Sequence, residues 1–469
     1  MTHNKNICSC CIDEEYLKNE VSTNGKKAKC SYCNQFEYCY SITEMSKVIE
    51  RVFEEHFVVT DVDPNYFQTA MLKDKESDYW WEREGEPVIY AIMNTAKIPE
   101  NAAEDIQELL NEKNYDQDAA QLGEEWEFCD ETHYEDSDVN TDKLNAQWNK
   151  FKSSLKTENR FFNGYALEFL DAIFEHFDSL RTIDNRPLIV DAGPKAGISE
   201  VYRARCFQSD EKLEQALSYP EIELSPPPSD IVGAGRMNSV GISVFYGASN
   251  KDIALAEVRP PVGSKVVTGR FEIIQELKLL DLTALKSVLP KGSFFDPTFS
   301  EHLEKVKFLK GFCERISAPV LPDHEKHEYL PTQVIADYLA SMTNLKVDGI
   351  LFPSIQSARE GFNLVLFNKS SRVEKVMRKA GTTIHVESYA YYAEGPEIEY
   401  RVIEKASELD NSIVSTDNRQ KESDSRRSTL KIDIDSLEVH IIEAADFKAS
   451  DYKVERQEEN LNDDFDEDF

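Results

Sequence analysis

Arginine side chains that can bind an anion occur in two neighbouring segments near the middle of the chain. Apolar and polar positions alternate over residues 200–206, which predicts a β-strand with Arg203 and Arg205 on one face and their neighbours on the other. A glycine-rich turn further along carries Arg236 and Asn238. Together these segments are candidates for binding a small anionic ligand, because the guanidinium fork suits such groups.

One carboxylate follows at a position that its local structure does not favour. Tyr246 ends a second predicted strand, 241–246, and Ser249 or Asn250 can cap a short helix that ends near Glu257. A negative charge in the last turn of a helix is disfavoured by about a few tenths of a kcal/mol. A residue kept against its local preference indicates a function.

A hydroxyl group completes this set much later in the chain. A buried strand is predicted at 349–352, and the turn that follows it carries Ser354. Each segment also has a simple structural explanation: glycine-rich turns are common, an arginine-bearing strand can be a solvated edge, and a serine often caps a turn. Spacing alone therefore leaves both a functional and a structural interpretation open.

Cysteines supply a second kind of chemistry, since six of the nine lie in the first 39 residues. Cys8 and Cys11 form one C-x2-C pair, and Cys30 and Cys33 form another. Two such pairs complete a tetrahedron of thiolates, which predicts a structural zinc site. The alternative is a set of free cysteines on a flexible leader. Two further thiols can replace one member of the set, Cys10 and Cys39.

The region between residues 41 and 182 has a helical pattern. Ser41 and Glu44 have capping-box spacing, and apolar side chains then recur at three- and four-residue steps. The acidic run 115–142 has little periodicity and predicts a solvated loop. Similar apolar stripes predict further helices around 103–110, 144–155 and 170–180.

Arg51 and His56 in this region have an R-x4-H spacing that occurs in some helical ribonuclease domains. Arg378 and His385 form an equally acceptable R-x6-H pair in an unrelated part of the chain, so such pairs arise here by chance. We therefore interpret Arg51 as a solvated arginine and His56 as a packed histidine.

From about residue 183 onward, short β-rich runs alternate with helical patterns, which predicts a mixed α/β domain. The whole chain is therefore predicted to be an α+β protein. Its predicted segments are a cysteine-rich zinc-binding segment (1–40), a helical domain (41–182), the mixed α/β domain with its C-terminal extension (183–450) and an acidic disordered tail (451–469). The predicted strands are 200–206, 241–246, 265–274, 349–352, 363–367, 397–403 and 430–442, and the predicted helices of this domain are 301–316 and 332–342.

Charge and hydropathy exclude several classes of partner. The 469 residues include 87 acidic and 53 basic ones, for a net charge of -34. Binding of a nucleic-acid backbone requires clustered lysine and arginine side chains, so for this acidic chain we expect no nucleic-acid partner. No apolar run reaches the ~20 residues of a membrane span, and the polar residues 1–6 lack the apolar core of a signal peptide. We therefore expect a reducing, cytoplasmic location and no membrane partner.

In combination, the residues of the mixed α/β region resemble the RES-domain family, which is named for its Arg, Glu and Ser. Its signature is an ordered set of Tyr-Arg, Gly-Arg-x-Asn-x-x-Gly, a strand tyrosine, a helical Ala-Leu-Ala-Glu and Pro-Ser. All five occur here in order, at Arg203, Arg236, Tyr246, Glu257 and Ser354. The region before them resembles the helical HEPN-type domain that precedes some RES domains.

The resemblance implies an ADP-ribosyltransferase-like fold that acts on NAD. Many compact relatives are toxins that deplete cellular NAD by hydrolysis or phosphorolysis and are neutralised by an antitoxin protein. In such a site Glu257 would stabilise the cationic ribose, Arg203 and Arg236 would bind the pyrophosphate, Tyr246 would stack on nicotinamide, and Ser354 would bind phosphate or position the incoming nucleophile. Secondary candidates for binding NAD are Arg205 and Asn238.

Three functions remain open from the sequence. The chain is expected to be a toxin-like enzyme that cleaves the nicotinamide–ribose bond of NAD, with NAD as substrate, zinc as a structural ion and an antitoxin-like protein as a possible partner. Alternatively, it attaches ADP-ribose to a macromolecule, or it is a zinc-containing interaction protein that binds a nucleotide without turnover. Intact Arg, Tyr, Glu and Ser positions argue against the last function.

Overall fold

The computed structural model describes residues 4–73, 79–160, 162–318, 320, 324–341, 344–354, 361–392, 394–406, 413–415, 424–444, 450–454 and 456. The chain forms two compact units, and neither is continuous in sequence. The first unit contains residues 1–191, 232–242 and 277–355, and the second contains 192–231, 243–276 and 356–469. Most of the predicted acidic tail, 455 and 457–469, lies outside the described residues.

The first unit begins with the cysteine-rich segment, which is folded rather than a flexible leader. Three strands lie in the order β1-β3-β2, and a helix α1 connects β1 to β2. Short 3-10 turns of this unit are Ser9–Cys11 and Leu282–Ser287. The bounds are β1 Asn6–Cys8, α1 Glu15–Asn24, β2 Lys26–Lys29 and β3 Phe36–Ser41.

Helices dominate the rest of residues 42–182, as the apolar stripes predicted. Ser41 and Glu44 form a true capping box at the start of α2. Buried aromatic side chains join α7 and α8 to the later helices, where Trp148 packs against Phe312 and Phe174 against Tyr338. The bounds are α2 Ile42–His56, α3 Tyr66–Lys73, α4 Val88–Ala96, α5 Glu100–Asn114, α6 Gln117–Leu122, α7 Asp142–Thr157, α8 Gly164–Phe174, α12 Phe299–Ser317, α13 Glu325–Glu328 and α14 Leu330–Ser341.

The prediction of a solvated loop over 115–142 is wrong. Asp116 caps α6 by accepting hydrogen bonds from backbone N–H groups, and β6 pairs with two strands from elsewhere in the chain. Tyr134 of β6 is buried, and its hydroxyl accepts a hydrogen bond from the backbone N–H of Phe128. Capping and strand pairing therefore order a segment that has no amphipathic period. These strands, in the order β4-β6-β5, are β4 Phe57–Val59, β5 Glu86–Pro87 and β6 His133–Asp136.

The Arg51–His56 pair is only partly as predicted. His56 is buried and its ring lies against Phe294, which agrees with a packed histidine. Arg51, however, is not a solvated arginine, because its guanidinium donates a hydrogen bond of 3.0 Å to the carbonyl of Phe295. Burial lowers the pKa of His56, which favours a neutral, structural ring.

The first unit also holds three neighbouring strands in the order β12-β11-β7. Strand β11 runs parallel to β12, with Leu280 opposite Ile350. Residues 349–352 of β12 are all buried, which explains its continuous apolar sequence. The bounds are β7 Ile189–Ala192, β11 Leu277–Asp281 and β12 Gly349–Pro353.

The second unit is built on five neighbouring strands in the order β18-β10-β8-β9-β13, and adjacent strands are antiparallel. The side chains of Tyr202 and Ala204 on β8 pack against Ala248 and helix α11, so alternation places Arg203 and Arg205 on the opposite face, as predicted. The bounds are β8 Glu200–Phe207, β9 Phe245–Ala248, β10 Lys265–Ile273, β13 Phe362–Leu366, β18 Leu430–Ile441, α9 Asp210–Ser218, α10 Pro220–Glu223 and α11 Lys251–Glu257.

Two smaller strand pairs complete the second unit. Strands β15 and β16 form a long antiparallel hairpin, and β14 pairs with β17. Arg378 of β14 is buried and donates to Glu221 at 2.6 Å, which gives this arginine of the R-x6-H pair a structural role. Within the described residues, no helix of the protein is both long and apolar enough to cross a membrane. The bounds are β14 Met377–Lys379, β15 Thr383–Tyr392, β16 Gly395–Lys405 and β17 Ile413–Ser415, with a 3-10 turn at Asn368–Ser370.

Candidate functional site

Arg203 lies on β8 and is held against the neighbouring strand β9. Its Nη1 donates a hydrogen bond of 2.8 Å to the backbone carbonyl of Tyr246, and its guanidinium lies 5.0 Å from the ring centre of Phe245. Desolvation, with a smaller contribution from nearby Arg205, lowers the pKa of Arg203 to about 10. The side chain therefore remains charged at neutral pH in a setting that solvates the charge poorly.

Arg205 is in a different environment from Arg203. Its side chain is exposed, lies 3.6 Å from the carboxylate of Glu223 and also donates to the carbonyl of that residue. Together with Lys212 and Ser209, these residues line an open cavity of about 440 Å³ beside the start of α9. Arg205 therefore already has an acidic partner within the protein.

Tyr246 lies in the middle of β9, which begins at Phe245 and not at residue 241 as predicted. Residues 241–244 instead form a turn and a segment without regular secondary structure, where the Ser243 hydroxyl donates to the carbonyl of Pro227. The Tyr246 side chain is half-buried, and its backbone accepts the hydrogen bond from Arg203. This contact brings two of the predicted site residues together.

Glu257 ends helix α11, as the sequence predicted. Asn250 is the N-cap, and its side chain accepts a hydrogen bond from the backbone N–H of Ile253. Ile253 and Ala254 bury one face of the helix against β9, while Glu257 at the far end is exposed. The helix is thus anchored at its N-cap and by these two buried side chains, and its last residue is exposed.

Asn363 contacts this carboxylate and was not among the predicted site residues. Its side chain is 4% exposed, and its Nδ2 donates a hydrogen bond of 2.8 Å to Oε1 of Glu257. The sequence does contain a signal, because asparagine is unfavourable in the otherwise apolar strand Phe362–Leu366. An asparagine at such a position needs a hydrogen-bond partner.

Arg236 and Asn238 lie in one tight turn of the first unit. Nη1 of Arg236 donates to the carbonyl of Ile316 at 2.7 Å, and its guanidinium lies 5.0 Å from the ring centre of Tyr329. Asn238 is buried, and its amide donates to the carbonyls of Gly233 and Ser239. The asparagine therefore shapes the turn that presents the arginine.

Ser354 follows the last residue of β12 in the first unit, as predicted, and is half-buried. The predicted set is thus divided between the units, with Arg203, Arg205, Tyr246 and Glu257 in the second and Arg236, Asn238 and Ser354 in the first. In the second unit, the structure joins Arg203 to Tyr246 and Glu257 to Asn363, as two pairs on neighbouring elements.

The four predicted cysteine ligands form one cluster at the start of the first unit. The sulfur atoms of Cys8, Cys11, Cys30 and Cys33 all lie within 4.8 Å of one another, and the Sγ atoms of Cys8 and Cys33 are 3.4 Å apart. Four sulfur ligands at such spacing fit a tetrahedral metal ion. Neither extra thiol belongs to this cluster, since Cys10 is exposed and Cys39 donates to backbone carbonyls.

The backbone around the cluster stabilises a thiolate. Burial raises the pKa of Cys8 to about 12, as expected for a thiol without a cation. Burial would also raise the pKa of Cys30, but the backbone N–H groups of Cys33 and Tyr32 outweigh it and lower that pKa to about 7. Such N–H···S hydrogen bonds suit a metal-bound thiolate, so the cluster can hold a metal ion.

A hydrogen-bonded clasp ties this cluster to helix α5. The Tyr32 hydroxyl, which lies between two of the cysteines in sequence, donates to Asp105 at 2.7 Å, and Nζ of Lys5 donates to the same carboxylate at 2.7 Å. Desolvation and the nearby Asp105 raise the pKa of Tyr32, so its hydroxyl stays protonated and donates. The cysteine segment therefore packs on the helical part of its unit.

Residues 200–389 match the family model of the RES domain, so this chain carries a RES domain. The match contains every predicted site residue from Arg203 to Ser354 and also Asn363, and it confirms the family prediction. A RES domain indicates NAD-related, ADP-ribosyltransferase-like chemistry. The match does not reach residues 41–182, and their resemblance to HEPN domains is not supported. No curated protein and no solved structure is significantly similar to the chain.

Proposed function

We propose that the RES domain cleaves the nicotinamide–ribose bond of NAD, with Glu257 as the catalytic carboxylate. The observation that supports this most is the environment of Glu257: an exposed carboxylate at the end of an anchored helix, oriented by a buried amide. The buried amide that donates to this carboxylate fixes its direction. The match to the RES family supplies the substrate class.

The chemistry needs one carboxylate rather than the two that most glycosidases use. Cleavage breaks the bond between the ribose C1′ and the nicotinamide nitrogen, and the electron pair leaves with the neutral nicotinamide. The leaving group therefore needs no general acid. Glu257 stabilises the positive charge that develops on the ribose, and water or inorganic phosphate then bonds to C1′ with release of a proton from the nucleophile.

Arg203 is suited to bind the pyrophosphate. Its charge is poorly solvated, and its buried Nε has no hydrogen-bond partner among the described residues. An anion bound by this guanidinium offsets the cost of the buried charge, and a fork of N–H donors matches phosphate oxygens. The contact with the Tyr246 carbonyl fixes the arginine next to the strand whose tyrosine we propose to stack on nicotinamide.

The remaining roles rest on the order of residues in the RES signature. We propose that Arg236 also binds pyrophosphate, that Asn238 holds the turn around Arg236, and that Ser354 binds phosphate or positions the nucleophile. Arg205 has a smaller role, because Glu223 already balances its charge. The predicted domain boundaries at 40, 182 and 450 likewise remain proposals.

Incubation of the purified protein with NAD labelled in its adenosine half tests this function. Free labelled ADP-ribose shows hydrolysis, and its 1-phosphate in phosphate buffer shows phosphorolysis. Label on a protein or nucleic acid added as acceptor shows ADP-ribosyl transfer by the same residues. Unchanged NAD under all these conditions would contradict the proposal and favour a nucleotide-binding protein without turnover.

We propose further that the cysteine cluster binds one zinc ion with a structural role. All four positions of a tetrahedron are supplied by sulfur, so no position is open for a substrate or a catalytic water. Elemental analysis of protein purified without chelators should give about one zinc per chain. Folded protein without metal would contradict this proposal.

We also propose that the protein acts in the cytoplasm as a toxin-like enzyme. The charge of -34 and the reduced cysteines are compatible with a cytoplasmic, toxin-like protein that does not bind nucleic acid. If the enzyme depletes cellular NAD, its host needs a means of restraining it, and an antitoxin-like partner would provide one. Growth and NAD content after induced expression, with the Glu257→Gln variant as the control, test the toxin-like activity.

A further inference from the structure

The contact between Asn363 and Glu257 joins a buried residue to an exposed one. The amide nitrogen of Asn363 lies 2.8 Å from the carboxylate oxygen, and the Asn363 side chain is almost completely shielded from solvent. A hydrogen bond to a charged group, formed from a shielded position, is stronger and better defined than one at the surface. The buried partner therefore determines where the exposed carboxylate lies.

The backbone around Asn363 leaves it little freedom to move. Asn363 lies directly opposite Ala248 in the antiparallel pair of β13 and β9, and Ala248 in turn lies opposite Tyr202 of β8. One residue earlier, the backbone N–H of Phe362 donates to the Ser249 hydroxyl, and the Phe362 carbonyl accepts from the Ser249 N–H. The start of β13 is thus fastened to the residue that precedes the cap of α11.

Gly361 allows this close approach. Its φ of 151° lies in the region that favours glycine, and a Cβ at this position would lie 2.4 Å from Cδ1 of Ile253 on α11. Because the chain enters β13 directly against α11, the helix that carries Glu257 and the strand that carries Asn363 are packed as one body. Their hydrogen bond joins two elements that already have a fixed separation.

We infer that Asn363 is a positioning residue that orients the Glu257 carboxylate toward the reacting ribose, an inference that rests on the proposed NAD cleavage. An amide is suited to this task because it donates a hydrogen bond without carrying a charge. A lysine or arginine at this place would neutralise the carboxylate, whose negative charge is needed when the sugar becomes cationic. The asparagine fixes the direction of the carboxylate and preserves its charge.

The test compares Asn363→Leu with the wild-type full chain. Leucine is close in size to asparagine but has no donor, so kcat should fall about 10- to 100-fold, which corresponds to the loss of a hydrogen bond to a charged group. KM for NAD should change less than about threefold, since the ground state does not depend on the carboxylate. Asn363→Asp, which replaces the donor with a like charge, should lower kcat at least as much.

Asn368→Leu is the matched control. Asn368 follows β13 and also uses its amide as a donor, but its acceptor is the carbonyl of Ser243. This control should retain wild-type kcat. In the Glu257→Ala background, Asn363→Leu should have no further effect on kcat, because no carboxylate is left to orient. Wild-type kcat in both Asn363 variants, while Glu257→Ala strongly lowers kcat, would overturn the positioning role and leave the proposed function standing.

Thermal unfolding of the same proteins tests the coupling between Asn363 and Glu257 without measuring turnover. In a cycle of wild type, Asn363→Leu, Glu257→Ala and the double variant, the shift in Tm of the double variant should be smaller than the sum of the single shifts. Additive shifts would show that the two side chains are not coupled and would overturn the inference. If the wild type left NAD uncleaved, the proposed function would fail, and this cycle would still decide whether Asn363 holds Glu257.

Discussion

The cysteine cluster of the first unit and the Glu257–Asn363 pair of the second unit differ in how exposed their reactive groups are. Two of the four thiols are buried, all four face one another, and a clasp through Tyr32 and Asp105 closes the segment onto α5. Glu257 is exposed, and the support behind it is buried. The cysteine cluster is therefore a closed site, whose four sulfur atoms face one another. The site of Glu257 is open and leaves room for a substrate.

A substitution in the cysteine cluster should have the largest effect on the structure of the protein. Cys30→Ser removes a ligand whose pKa is lowered to about 7, and we expect loss of the zinc and unfolding of residues 6–41. Metal binding contributes about 10–16 kcal/mol to the folding of small zinc-binding peptides, so this segment should not stay folded once the metal is lost. Elemental analysis and far-UV circular dichroism measure both changes.

Cys10→Ser is the control for that experiment. Cys10 is exposed and lies outside the cluster, so this variant should keep about one zinc per chain. Equal zinc content in the Cys30 and Cys10 variants would show that the cluster is not the metal site.

At the open site, Glu257→Gln should abolish most of the turnover and leave NAD binding intact. Glutamine keeps the shape and can still accept from Asn363, but it removes the charge that stabilises the cationic ribose. Loss of one such electrostatic group costs about 100- to 1000-fold in kcat. Steady-state kinetics and calorimetric titration with NAD measure the two quantities, and a near-normal kcat would exclude Glu257 as the catalytic carboxylate.

Arg203→Ala should act on binding rather than on the chemical step. The pyrophosphate is charged throughout the reaction, so removal of the Arg203 guanidinium should raise KM for NAD about 10- to 100-fold with a smaller change in kcat. Arg270→Ala is a suitable comparison, because Arg270 lies on the neighbouring strand β10 and pairs with Asp433. A fall in kcat with an unchanged KM would show that Arg203 acts on the transition state instead.

The clasp should show the smallest effect. In Asp105→Asn the side chain keeps its shape but loses the charge that accepts from Tyr32 and Lys5, which should cost about 1–3 kcal/mol of stability. Zinc content and NAD turnover should not change, and Tm should fall by a few degrees. Loss of zinc in this variant would show that the clasp is part of the metal site rather than a support for it.

The two sites also differ in how much of them was predictable. The four clustered cysteines lie in two short C-x2-C motifs, and each motif brings its two thiols together locally, so the sequence predicted the cluster. Glu257 was predictable from a helix that local capping at Asn250 specifies. Asn363 lies 106 residues away from its partner, and no local pattern connects them. The folded segment 115–142 was missed for the same reason, because its order comes from strand pairing.

The amino-acid sequence by itself determined most of the long helices and strands, the cysteine cluster and the RES signature, because periodicity, capping and short motifs act over a few residues. Tertiary structure alone decided which groups lie against those residues. Strand register puts the Tyr246 carbonyl beside Arg203, and register together with the packing of α11 puts Asn363 beside Glu257. Only packing brings Arg205 close to Glu223 and the Tyr32 hydroxyl within hydrogen-bond distance of Asp105. These contacts join residues far apart in the chain, and a hydrogen bond over such a distance depends on the whole path of the backbone between its partners.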